Sequence, residues 1–133
     1  MRAELEISSG IYSKPVICVG EVLDEAGKMT VKWVETDPVT SSFCLVWDKK
    51  KASVCVTRAG SISSTMVFEA GKETSAVINT AYGDMEFTIV TDYINFPSVL
   101  NDSLEMSYSM LSSGEETVKN TFSVKRLLQK QKV

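Results

Sequence analysis

Residues 103–110, SLEMSYSM, put Leu104, Met106, Tyr108 and Met110 on one face of an extended chain and Ser103, Glu105, Ser107 and Ser109 on the other. This period of two constrains the fold more than any other feature of the sequence. It returns in MEFTIVT (85–91), where Met85, Phe87, Ile89 and Thr91 share a face, and in KMTVKWVE (28–35). A strand with one apolar and one polar face belongs to an antiparallel sheet buried on one side only.

Turn-forming residues cut the chain at intervals of about eight to twelve residues, the spacing of an all-β sandwich or barrel. The predicted strands are AELEISS, SKPVICVGEVLD, KMTVKWVE, SFCLVWD, ASVCVTR, SISSTMVFE, TSAVINTAY, MEFTIVT, SLEMSYSM and TVKNTFSVKR. DEAGK, DKKK, AG, EAGKE, YGD and SSGEE join them as hairpin connections. Pro38 and Pro97 fall in the two longer links, TDPVTSS and NFPSVLND, and Pro15 stands at a strand start. Strands linked so briefly form a meander. A meander of about eight to ten strands protects its edges by closing into a barrel, whereas a sandwich needs longer crossovers. The fold expected for residues 1–133 is therefore a single all-β, antiparallel barrel domain, with a basic tail over 126–133 that frays or ends in a short helix.

A chain of 133 residues buries its own core without staples, and 44% apolar with 23% charged residues is the balance of a soluble globular domain. No apolar run is long enough for a membrane-spanning helix. The acidic start MRAELEISSG lacks the apolar core of an export signal. A cytoplasmic location and no membrane insertion follow as expectations. The net charge of -3 gives no footprint for DNA, but the charge is uneven. Residues 117–133 hold Lys119, Lys125, Arg126, Lys130 and Lys132 and no acidic side chain. That tail is either a solvated counterweight to an acidic body or a contact for an acidic partner or an RNA backbone.

The chain contains no histidine, which removes Ser-His-Asp and Cys-His nucleophiles and His-based zinc sites together. Cys18, Cys44 and Cys55 are widely spaced among apolar residues and read as small core residues, not as a disulfide or metal framework. No phosphate-binding loop, dinucleotide fingerprint or metal motif occurs. No enzyme, cofactor or metal is expected on these grounds.

The informative residues are polar ones on apolar parities. Glu35 follows Met29, Val31 and Trp33; Arg58 follows Val54 and Val56; Thr80 and Tyr82 follow Ile78; Thr91 follows Ile89; Tyr108 lies between Met106 and Met110. Buried polar groups need partners, and two readings provide them. Either Glu35, Arg58, Thr80, Tyr82, Thr91 and Tyr108 line a pocket in or at the mouth of the barrel, with Arg58 holding a carboxylate or phosphate. Or Glu35 and Arg58 pair with each other near the rim and the hydroxyls bond to backbone or water. Tyr-Gly-Asp at 82–84 is expected to be a hairpin corner whose Tyr82 faces the barrel.

VKWVE (31–35), TRAG (57–60), MVFEAG (66–71), INTAYGDMEFTIVT (78–91) and LEMSYSM (104–110), taken in order, resemble the YwiB-like family of uncharacterised bacterial β-barrel proteins, grouped with the calycin-type barrels. The resemblance spans about residues 27–111. It implies a calycin-like, lipocalin-like barrel in the bacterial cytoplasm, with recurring positions at Glu35, Arg58, Gly60, Tyr82, Gly83, Thr91 and Tyr108, and no catalytic residues to carry over. The sequence thus points to a barrel that binds a small, partly apolar or anionic ligand. The alternative is an interaction module with a packed barrel, working through its outer surface or basic tail. Open strand edges would permit a homodimer, though nothing in the sequence requires one.

Overall fold

The computed structural model describes residues 1–36, 39–98 and 102–127. Ten strands follow one another: β1 (Arg2–Ser9), β2 (Val16–Glu25), β3 (Lys28–Glu35), β4 (Ser41–Asp48), β5 (Ser53–Ala59), β6 (Ser63–Glu69), β7 (Glu73–Thr80), β8 (Gly83–Asn95), β9 (Ser103–Ser112) and β10 (Glu115–Leu127). Each pairs antiparallel with its neighbours in sequence, and β10 returns to β1 to close the barrel. There is no helix among the described residues. Closure pairs every strand on both sides, so an edge-to-edge dimer has no edge to use.

The period of two explains the interior. Leu5, Ile7, Val31, Trp33, Leu45, Val54, Phe68, Ile89, Leu104, Met106 and Val124 point inward and are almost wholly buried. Gly20 on β2 lets Leu5 and the β3 backbone approach closely. A Cβ there would lie 2.5 Å from the Leu5 Cδ1 and from the Lys32 carbonyl oxygen.

Two irregularities shape the wall. Register slips between Thr91 and Tyr93 on β8 and between Glu116 and Val118 on β10 mark bulges, which bend the strands. After β6 the chain leans across β7, and the Gly71 amide donates to the Thr91 carbonyl at 3.0 Å. This end of the barrel is plugged. Phe96, from the β8–β9 connection, stacks on Trp47 with ring centroids 4.8 Å apart. A space of only about 70 Å³ remains, among Leu5, Val22, Leu45, Pro97, Leu104 and Val124.

The loss of alternation after Lys125 does not end the last strand. Leu127 pairs with Glu4 and Arg126 with Leu5, because a ladder needs a partner backbone and not an alternating side-chain pattern. The rest of the basic tail (128–133), Pro38 and residues 99–101 of the NFPSVLND link lie outside the described residues.

Candidate functional site

In a meander, alternate connections gather at the same end. The β1–β2, β3–β4, β5–β6, β7–β8 and β9–β10 connections surround the end opposite the plug. There the interior is not filled. A cavity of about 480 Å³ opens among Phe43, Val56, Met66, Phe68, Ile78, Phe87, Met106 and Met110. Ile11, Tyr12 and Ile62 form part of its rim, and Arg58, Tyr108 and Asn120 are polar members of its wall.

Arg58 sits on β5 at the inward parity, opposite Phe43 on β4 and Ser64 on β6. Its Nε donates to Ser41 Oγ at 3.2 Å, and its Cζ lies 5.6 Å from the centre of the Phe43 ring. One edge and one face of the guanidinium are thereby fixed. No carboxylate among the described residues forms an ion pair with it, and it is the one charged residue among those lining the cavity.

The expected partner, Glu35, is engaged elsewhere. Its carboxylate is buried, at 8% exposure, and accepts hydrogen bonds from the Tyr12 hydroxyl (2.9 and 3.2 Å to its two oxygens) and from Trp33 Nε1 (2.9 Å). Burial pushes the Tyr12 hydroxyl well above the usual tyrosine range, the bond to Glu35 pushes it further, and the nearby Arg58 opposes both. Burial also raises the Cys18 thiol, with the charge of Glu35 as the second cause.

Tyr108 packs edge-on against Phe68, with centroids 4.8 Å apart, and its hydroxyl accepts from Asn120 Nδ2 at 3.1 Å. Burial raises its hydroxyl, and the bond from Asn120 works the other way. Asn120 is a junction. Its Oδ1 accepts from the Gly10 amide at 2.8 Å, and its Nδ2 also donates to Ser9 Oγ at 3.0 Å. The β1–β2 connection is therefore latched twice over the mouth, at Gly10 to Asn120 and at Tyr12 to Glu35.

The six residues singled out from parity thus separate. Arg58 and Tyr108 line the cavity, and Glu35 reaches its rim through Tyr12. Thr91 is buried at 1% exposure, but near the plugged end and outside the cavity lining, and its Oγ1 has no hydrogen-bond partner among the described residues. Tyr82 does not face the barrel; it is fully exposed. β7 ends at Thr80, which pairs with Gly83, so Ala81 and Tyr82 become the two-residue turn and parity ceases to apply. Gly83 takes the positive φ, 125°, that the corner needs. Thr80 Oγ1 donates to the Gly83 carbonyl at 2.9 Å and accepts from the Tyr82 amide at 3.1 Å, so Thr80 braces the corner and does not line the cavity.

Two residues of the mouth escape the parity argument as applied to the sequence. Asn120 shares the face of Val118, Phe122 and Val124, and the same rule would have found it. Tyr12 lies between strands, where no period exists, and only the folded chain brings it to Glu35.

Comparison with known proteins supports this architecture. The crystal structure of the ywiB protein from Bacillus subtilis superposes with a TM-score of 0.65 at 13% identity, covering 94% of this chain and 88% of that one, a likeness of fold. No curated protein matches the sequence significantly. The family described as Domain of unknown function (DUF1934) matches residues 15–124, which is most of the chain, and the protein belongs to that family.

Proposed function

We propose that this protein is a calycin-like binding barrel, without enzymatic activity, that takes a small, partly apolar anion into the mouth cavity. Arg58 carries this reading. A guanidinium held by Ser41 and Phe43, on the wall of an apolar cavity, has donors left over for a ligand oxygen. A site of this kind, apolar walls with few polar anchors, is what small-molecule pockets generally show. The dye 1-anilinonaphthalene-8-sulfonate, itself an apolar anion, is the probe. Saturable binding with blue-shifted emission is expected for the wild type, and about tenfold or greater weakening in Arg58→Ala, as for loss of a charged hydrogen bond. No binding by the wild type, or equal binding by the variant, would refute the proposal.

A second reading, an interaction module, draws support from the outer wall. Ile17, Val19 and Leu23 on β2 are each more than half exposed (55%, 56% and 51%), where polar residues are the norm. If it holds, replacing Ile17 and Val19 with serine strips a co-purifying partner and leaves dye binding unchanged.

A further inference from the structure

The cavity's charge and size narrow the ligand further. This step rests on the binding reading above and specifies its ligand class. Among the described lining residues one carries a positive charge, Arg58, and none carries a negative one. In a poorly solvated site a charge is tolerated when it is matched. A cation has no partner there, and a neutral ligand would shut the guanidinium away from water with nothing to accept from it. One negative charge is balanced by Arg58. A second is not, because no other cation is among the described residues lining the cavity and the buried carboxylate of Glu35, behind Tyr12, repels it.

The shape of the anchor favours a planar head. With Nε committed to Ser41 and the ring of Phe43 against one face, the guanidinium is oriented, and its remaining N–H edge suits the two oxygens of a carboxylate. The body of the ligand meets Met66, Met106 and Met110 together with Phe68 and Phe87. Methionine side chains adapt to a flexible chain in a way that branched residues do not. About 480 Å³ of cavity, at roughly 30 Å³ for each water-sized group, is room for a chain of on the order of ten to sixteen non-hydrogen atoms.

We infer that the mouth cavity takes a monocarboxylate with a single flexible apolar chain, its carboxylate on Arg58 and its chain among the three methionines. Dianionic heads of equal chain length are rejected.

Isothermal titration of the full chain with decanoate, decanol and decyl phosphate at neutral pH decides the matter, since the phosphate then carries nearly two charges. Decanoate is expected to bind at least tenfold more tightly than either of the others. The preference should vanish in Arg58→Ala, while decanol binding persists and shows that the variant still folds. Shortening the acid by two methylenes is expected to weaken binding about tenfold, from the burial lost. Decyl phosphate binding more tightly than decanoate would overturn the carboxylate assignment and leave the binding reading standing, whereas decanol equal to decanoate would overturn both, since an anion on Arg58 would then count for nothing. Failure of all three to bind would overturn both.

Discussion

The two ends of this barrel are built from the same alternating strands and finish differently. At one end Trp47 and Phe96 stack face to face, and about 70 Å³ is left over among Pro97 and its apolar neighbours. At the other, the inward positions end in polar groups (Glu35, Arg58, Tyr108 and Asn120), and about 480 Å³ stays unfilled. Apolar side chains close a barrel by filling it. Polar ones must stop where their partners are, and here Glu35 is held by Tyr12 and Trp33 and Asn120 by Gly10, Ser9 and Tyr108, so they hold the wall apart. The plugged end is packed, and the mouth keeps an open cavity.

The largest expected effect breaks this contrast directly. Leu45→Ala at the plugged end, where Leu45 is 2% exposed, is expected to cost about 2–5 kcal/mol in urea unfolding. Met66→Ala at the mouth removes a half-buried side chain already facing open space, so little new void is made, and less than about 2 kcal/mol is expected. Equal costs would mean that the two ends are packed alike. Gly20→Ala comes next, at about 1–3 kcal/mol, because the added methyl meets Leu5 and the Lys32 carbonyl with no space to yield.

The latch at the mouth gives the third prediction. Burial and Glu35 raise the Tyr12 hydroxyl above its ordinary value of 10.0, so the folded protein keeps this proton where the unfolded chain has lost it. Its contribution is complete below about pH 10 and declines as pH rises further, the unfolded state binding fewer protons there. Tyr12→Phe should lower stability at pH 7 by about 1–3 kcal/mol, since Glu35 loses a donor while still buried. The variant should also flatten the alkaline loss that remains in the wild type, with Tyr108 supplying a residual slope. Urea unfolding at pH 7 and at pH 10.5 measures both effects. An unchanged alkaline slope would place the Tyr12 contact elsewhere.

The smallest effect concerns the turns. Ala26 at the plugged end and Ser113 at the mouth both hold positive φ, 54° in each case, ahead of Gly27 and Gly114. Asparagine accepts this conformation more readily than either. Ala26→Asn and Ser113→Asn are each expected to raise the melting temperature slightly, by the equivalent of about 0.5–1 kcal/mol.

Much of the fold was legible because the ladder and the hydrophobic effect act on the same period. All ten predicted strands form, although β2 begins three residues late, β7 stops two residues short and β8 runs on to Asn95, and Glu35, Arg58, Thr91 and Tyr108 do point inward. The candidate site was legible only in part. Parity says which face a residue occupies, but not where its strand stops, and Tyr82 fell past the end of β7. Nor does parity say which of several donors a carboxylate will choose. Arg58 was the nearest charged candidate for Glu35 in the sequence pattern, and Tyr12 and Trp33 hold it instead. Thr91 is inward and buried, and nothing in the structure accounts for its unpartnered hydroxyl.

The most direct test of the central claim, that Arg58 holds an anion at the mouth, is native mass spectrometry of the protein isolated from its own host, compared with the denatured mass. A reproducible added mass, lost on denaturation and absent from Arg58→Ala, is the predicted result. An added mass that survives in Arg58→Ala, or a native mass equal to the denatured one, would contradict it.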